Sequence, residues 1–304
     1  MTAIRAETVS KRYGSVTALD RVDLTVEAGE IFGFLGQNGA GKSTMINILL
    51  DFVRPTQGQV EIFGHDCHRE SVSARRRMGV LPEGYDVYDR LTARQHIRFA
   101  MESKDADGDP MELLDRVGIA DAADRQAGGF SKGMAQRLVL GMALVGDPDL
   151  LLLDEPTSGL DPNGAVTLRE IIREENERGT TVFFSSHILE QVEAVCDRVG
   201  ILHEGALVAI DTVEGLRSSA GGGTKLSITV ADLDVVDLGV VEGIEGVESA
   251  WLEAAEDRVD VTCSNDAKMD VLVALDDVGV DVVNFETEEP SLEDLFVEYT
   301  GGHD

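Results

Sequence analysis

The sequence predicts an α/β domain built on a largely parallel sheet and carrying a helical insert, followed by a small α+β domain. Three observations predict it. Short, wholly apolar runs alternate with helical runs through residues 1–217, the pattern of strands buried on both faces. The run Ser218-Ser-Ala-Gly-Gly-Gly-Thr224 has the composition of a flexible linker. Beyond it, residues 225–304 alternate strand-like and helical stretches in the order of a ferredoxin-like unit.

In chain order, Ile31–Leu35 reads as a buried strand and Lys42–Leu50 as a helix. From about residue 84 to 146 the strand signals stop. There Thr92 with Gln95 forms a capping box ahead of Ile97, Phe99 and Met101. Asp109 is an N-cap with Pro110 at the first helical position, and Gly118 closes that helix. Leu150–Leu153 is a second buried strand, Asn163–Arg178 a helix stopped by Gly179, and Thr180–Ser185 a third strand. After the linker, Leu226–Val230, Val247–Leu252, Arg258–Cys263 and Val280–Glu286 read as strands. Helical stretches fall near Asp234–Glu242, Asp266–Asp276 and Ser291–Tyr299.

Composition narrows the function. The 304 residues are 43% hydrophobic, enough for a sizeable core, and 57 Asp and Glu against 26 Lys and Arg give a net charge of −31. So acidic a surface repels nucleic-acid phosphates and anionic headgroups, so no nucleic-acid partner is expected. Acid spread over the whole length, with Lys scarce, suggests a cytoplasm of very high salt, where screening relieves self-repulsion, and hence a halophilic archaeal source. Three distant cysteines, Cys67, Cys196 and Cys263, argue against a disulfide framework and fit a reducing cytosol. No secretory signal is read at the start, and no apolar run reaches the roughly 20 residues that span a bilayer. A soluble chain is therefore expected, and any membrane role would come through a partner.

The chemistry begins with Gly36-Gln-Asn38-Gly39-Ala40-Gly41-Lys42-Ser43, followed by Thr44, placed after a strand and opening a helix. Phosphates need several convergent donors. Glycines let successive backbone N–H groups curl round them, and the helix N-terminus adds partial positive charge. Lys42 is expected to reach the β- and γ-phosphates, and Ser43 to offer its hydroxyl to Mg²⁺. The second signal is Leu150-Leu-Leu-Leu-Asp154-Glu155-Pro156. Ligands bind beyond the carboxyl ends of parallel strands, so Asp154 would serve Mg²⁺ and Glu155 would polarise the attacking water. His65-Asp66-Cys67-His68 has metal-ligating residue types but no second cluster, and it follows the Gly64 turn, so a loop is expected there.

With these residues the chain resembles the ABC ATPase family, and further motifs fall in that family's order. Phe130-Ser131-Lys132-Gly133-Met134-Ala-Gln136-Arg137 resembles the signature sequence, Ser158-Gly-Leu160-Asp161 the D-loop, and His187 after Phe184-Ser-Ser the switch histidine. Tyr13 stands where the family stacks an aromatic ring on adenine. The resemblance implies the P-loop NTPase fold of an ABC ATPase domain, with ATP and Mg²⁺ as ligands. It implies a head-to-tail dimer of ATPase subunits, with Ser131, Gly133 and Asp161 closing on the partner's nucleotide. His187 would hydrogen-bond the γ-phosphate region.

Two departures stand out. The family's Q-loop glutamine aligns with Glu83, which can serve Mg²⁺ but cannot donate as an amide does. Lys132 and Met134 replace the commoner glycine and glutamine, in a manner similar to the drug- and lipid-exporter branch. The ending Pro290-Ser-Leu-Glu-Asp-Leu-Phe-Val-Glu-Tyr-Thr-Gly301 also resembles that branch, whose ATPases pair with a separate membrane subunit. By pattern it is an amphipathic helix capped by Ser291, with Leu292, Leu295, Phe296 and Tyr299 on one face. The implied function is ATP hydrolysis driving a transmembrane permease, in the export direction. The chain would lie on the cytoplasmic face of the membrane through that partner. The competing readings are a soluble ABC protein acting on nucleic acid or ribosomes, which the charge opposes, and a non-hydrolysing module, which Lys42 and Glu155 oppose.

Overall fold

The computed structural model describes residues 1–219, 224–253, 257–264 and 266–288. The chain divides into two compact units, Met1–Val213 and Glu214–Asp304.

The first unit opens with a long hairpin, β1 (Thr2–Tyr13) and β2 (Val16–Glu27). Val22, Leu24 and Val26 of β2 are buried while Asp23, Thr25 and Glu27 face solvent, the period-2 alternation of a half-covered antiparallel sheet. After β3 (Ile31–Leu35) and α1 (Lys42–Leu49), the chain returns to that sheet through β4 (Gln57–Ile62) and β5 (His65–Asp66). The strand order is β2-β1-β4-β5. Short helix α2 (Ser71–Arg76) then leads into β6 (Met78–Leu81).

Between β6 and the next strand the chain is helical, as expected. It forms α3 (Ala93–Lys104), α4 (Pro110–Arg116) and α5 (Lys132–Ala143). The full capping box of Thr92 and Gln95 starts α3, and Asp109 caps α4, its side chain accepting from the Met111 amide at 2.9 Å. Next come β7 (Leu150–Asp154), α6 (Pro162–Glu177), β8 (Thr181–Ser186), α7 (Leu189–Glu193), β9 (Arg198–His203) and β10 (Ala206–Thr212).

The main sheet runs β10-β9-β3-β8-β7-β6. All its neighbours are parallel except the edge hairpin β9–β10. Every residue of β3, β7 and β8 is buried, which explains why these strands read as unbroken apolar runs. Phe32 stacks on Phe183 in this core, and Phe34 packs tilted against Phe183 with centroids 5.2 Å apart. One apolar cluster joins them to Ile4, Val22 and Val26 of the antiparallel sheet and to Met45 and Ile48 of α1.

Helix α8 (Val213–Ser219) starts at the boundary of the two units, so Ser218 and Ser219 of the expected linker are helical and Thr224 already opens a strand. The second unit continues with β11 (Thr224–Val230), α9 (Leu238–Glu242), β12 (Val247–Glu253), β13 (Arg258–Cys263), α10 (Lys268–Asp277) and β14 (Val282–Glu288). The sheet is antiparallel throughout in the order β12-β13-β11-β14, the ferredoxin-like arrangement that the sequence predicts. Two boundaries differ. The expected helix at 234–242 breaks into a 3₁₀ turn, Leu233–Val235, and α9, because Asp237 takes the cap role and accepts from the Gly239 amide. The last strand starts at Val282, because Val280 is held by the closing turn of α10, its N–H bonded to the Leu275 carbonyl. The expected helix Ser291–Tyr299 lies outside the described residues.

Candidate nucleotide site

The loop between β3 and α1 supplies the cradle. Gly39 and Gly41 lie at φ +86° and +116°, where only glycine is unstrained, and a Cβ on Gly41 would lie 2.4 Å from the Ala18 carbonyl. No side chain caps α1 and its first turn holds no acid, so its orphan N–H groups and dipole are left to an anion. The cleft over it, about 200 Å³, is walled by Val16–Ala18, by most of Gln37–Thr44, and by Glu83 and Glu155.

Lys42 is buried (6% exposed), with Nζ donating to the Gly36 carbonyl at 2.6 Å and standing 3.3 Å from Oε1 of Glu155. Glu155 is equally buried, and its other oxygen, Oε2, lies 2.9 Å from Nδ1 of His187. Its backbone sits at φ +48°, a left-handed conformation uncommon for a residue with a side chain. It is held there by hydrogen bonds from its N–H to the carbonyl and hydroxyl of Ser185. Ser185 also donates from Oγ to Oδ1 of Asp154 at 2.5 Å, across the β7–β8 register that sets the two residues side by side. Burial pushes the Asp154 carboxyl above its ordinary value. Repulsion from Glu83 and Glu155 pushes the same way, against the Ser185 hydrogen bond and the charge of Lys42.

Lys42, Ser43, Glu83 and Glu155 thus meet at one cleft, with Asp154 and His187 beside them. Asn38, Gly39 and Thr44 line its floor with Gly41, and buried Ala40 and Gly36 support the loop. Tyr13 ends β1 half-exposed, with the Lys11 ammonium 4.9 Å above its ring, and its strand partner Val16 forms the cleft wall. Ser131, Gly133 and Asp161 are not in these walls. Ser131 caps α5 and Asp161 caps α6, accepting from the amides of Met134 and Gly164.

The structure adds roles that the sequence did not show, for Ser185 and for Lys132, the latter noted there only as a departure from the signature. Ser185 anchors both acids, and its signal was a hydroxyl at the end of an apolar strand. Lys132 folds over the loop after β7, so closely that a Cβ on Gly159 would lie 2.1 Å from its Nζ. Both histidines of the segment His65–His68 pair with acids outside it, His65 with Glu70 and His68 with Asp51. Among the described residues no group of three His, Cys, Asp or Glu side chains is placed to hold a metal ion.

The ABC transporter family matches residues 19–158, and a second family, "ATP-binding protein DrrA1-3-like, C-terminal domain", matches residues 212–300. The linearmycin resistance ATP-binding protein LnrL of Bacillus subtilis is 32% identical over 305 residues, covering 98% of each chain. The bacitracin transport ATP-binding protein BcrA of Bacillus licheniformis is 36% identical, covering 99% of this chain and 98% of that one. A solved ATP-binding subunit of an ABC transporter superposes with TM-score 0.66 at 31% identity, covering 72% of this chain and 94% of that one. The dimeric cassette MJ0796, bound to ADP and phosphate, shares the fold at TM-score 0.62 and 23% identity, over 69% of this chain and 98% of its own. These bacterial relatives lend no support to the halophilic archaeal source suggested by the charge. On full-length identity and both domain matches, the chain belongs to the ATP-binding subunits of ABC transporters, in the drug-resistance branch of DrrA and BcrA.

Proposed function

We propose that this chain binds and hydrolyses ATP to drive a separate membrane-spanning permease in the export direction. The observation that carries the ATPase reading is the buried pair Lys42–Glu155 at the mouth of a glycine loop, with the more exposed His187 on the other oxygen of Glu155. In this reading the loop's N–H groups and the start of α1 hold the β- and γ-phosphates. Lys42 exchanges its contact with Glu155 for the phosphates, which frees a carboxylate to accept a proton from the attacking water. His187 keeps that carboxylate oriented through Nδ1.

The acids Asp154, Glu155 and Glu83 outnumber their cation Lys42, and Asp154 is pushed toward protonation. That excess suits a divalent cation, which takes few protein ligands when phosphates supply the rest. Ser43, Asp154 and Glu83 would hold Mg²⁺, whose chemistry is to neutralise charge on the phosphate oxygens. Ser131, Gly133 and Asp161 act on the nucleotide of a second ATPase subunit, in a homodimer or a heterodimer, and Tyr13 stacks on the base. The domain division expected from the sequence, 1–217, a linker at 218–224 and an accessory domain at 225–304, moves to 1–213 and 214–304 with the compact units.

Export rests on the relatives named for resistance and transport, which match this chain nearly end to end. Among the described residues no helix is long and apolar enough to cross a membrane, so attachment to the inner face of the membrane goes through the permease. Two measurements test the reading. Phosphate release should fall at least a hundredfold in Lys42→Ala and Glu155→Gln, and undiminished turnover in both would refute the site. Tagged Glu155→Gln protein, extracted from its own membranes with ATP in high KCl, should bring down a multi-span membrane protein in near-equal amount. Recovery of ribosomes or nucleic acid instead would refute the transport reading and leave the ATPase site standing.

A further inference from the structure

We infer that Tyr85 is a positioning residue for hydrolysis: through Gln136 it ties the segment carrying Glu83 to the start of α5 and to the backbone beside Glu155. The inference rests on the ATPase reading above and assigns a role that the sequence motifs leave open.

Glu83 lines the nucleotide cleft and repels Asp154, yet as a carboxylate it has no proton to donate. The donor on this segment comes two residues later. Gly84, at φ +69°, turns the chain, and Tyr85 enters a second cavity of about 410 Å³ shared by Glu83, Lys132, Gln136 and Glu155. The Tyr85 hydroxyl donates to Oε1 of Gln136 at 3.2 Å and lies 3.4 Å from the Lys132 carbonyl. A phenol ordinarily titrates at about 10, so the hydroxyl has its proton to donate at neutral pH.

Gln136 is 2% exposed, and an amide so deeply buried must be satisfied. Its Nε2 donates to the Pro156 carbonyl, which fixes the amide with Oε1 turned to Tyr85. Pro156 directly follows Glu155, whose left-handed backbone is the strained element of the site. Glu83, Tyr85, Gln136, Pro156 and Glu155 therefore form one connected path, whose two ends, Glu83 and Glu155, both line the nucleotide cleft. A charge change beside Glu83 moves the segment, and the hydrogen bonds carry that movement to the first turn of α5 and to the angle of the Glu155 carboxylate. A hydroxyl that only stapled a loop would affect folding. A hydroxyl that sets the base's angle affects turnover and leaves nucleotide binding at the opposite wall untouched.

The test is steady-state ATPase of the full chain purified with its permease, for Tyr85→Phe, Gln136→Met and the double variant, with fluorescent ATP affinity and melting temperature measured on the same samples. Tyr85→Phe deletes one oxygen atom. It should lower kcat about three- to tenfold, the factor that one neutral hydrogen bond is worth in a barrier. The Kd for ATP should stay within twofold and the melting temperature within about 1 °C. The double variant should turn over no more slowly than Gln136→Met, because both break the same path. A kcat within twofold of wild type in Tyr85→Phe overturns the inference. So does a loss matched by an equal loss of affinity or stability, or additive losses in the double variant. Glu155→Gln in the same assay separates the two levels: if it still turns over ATP, the ATPase reading itself has failed.

Discussion

At the scale of single residues, the site stores unfavourable charge. Asp154 is mostly buried, next to Glu155 and within repulsion of Glu83, and its carboxyl is pushed up chiefly by burial. The sign follows directly. A raised folded pKa means the ionised form is worse off in the fold than in the unfolded chain, where a carboxylate titrates near 4. The penalty is absent at low pH, grows as pH rises from about 4 through the raised value, and is complete above it. Asp154→Asn keeps an acceptor for Ser185 and removes the charge, so it should melt higher than wild type at pH 7, with the gap closing as pH falls toward 4. A fluorescence melt across that range checks it, and a variant less stable at pH 7 would show that the Lys42 and Ser185 contacts outweigh burial. The motif residues were legible because each is set by local chain geometry: a glycine loop on a helix start, acids on a strand end. The pairing of Lys42 with Glu155, and of Glu155 with His187, was not. Those partners are far apart in the chain and meet only through the order β3-β8-β7. Tyr85 carried no sequence signal because its partner lies fifty-one positions away on another element.

Elements were legible where their ends are chemical. Thr92 with Gln95, and Asp109 with Pro110, declare helix starts through side chains that satisfy nearby N–H groups, and both helices begin where those residues stand. The long hairpin β1–β2 gave no such signal. Register slips around Ala6–Val9, where Thr8 turns to φ +46°, break the alternation that would have marked a twelve-residue strand. How the helical insert is secured was equally hidden. Arg116 at the end of α4 reaches Glu175 on α6, with Nε to Oε1 at 3.0 Å, and its NH1 meets Asp147 at 2.8 Å. Glu175 is 1% exposed, so removing its guanidinium strands a buried carboxylate with only the weaker contact to Arg178. Arg116→Ala should cost about 3 kcal/mol, the range for breaking a buried pair from one side. The double change Arg116→Met with Glu175→Leu should recover most of it, since apolar packing can replace such a pair. Denaturant midpoints of the three proteins decide this. A double variant as weak as Arg116→Ala would mean that the pair itself, and not the stranded charge, holds the insert.

For the whole molecule the governing quantity is the net charge of −31, and the fold says where it matters. At the phosphate loop, Lys42 and the start of α1 form a small positive spot, set beside the acids Glu83, Asp154 and Glu155 and inside a strongly negative field. Nucleotide carries the same sign as the field, so the approach of ATP is opposed at long range and favoured only at contact. Salt acts unequally on the two. The Debye length is about 10 Å at 0.1 M and about 3 Å at 1 M, so long-range repulsion is screened away first. Contacts of buried Lys42 and of backbone N–H groups with phosphate lie within a few ångströms and are screened much less. KM for ATP should therefore fall as KCl rises from about 0.1 to about 1 M, the reverse of the usual weakening of anion binding by salt. Melting temperature should rise over the same range, because acids outnumber bases by 57 to 26 and repulsion outweighs the exposed ion pairs that salt also weakens. Steady-state kinetics at saturating Mg²⁺ and a melt series in KCl measure both. A KM that climbs with salt would show that the local positive spot, and not the global field, governs nucleotide capture. A flat melt series would show that the acidic surface is already well spaced in dilute buffer, and would remove the ground for reading high cytoplasmic salt from this composition.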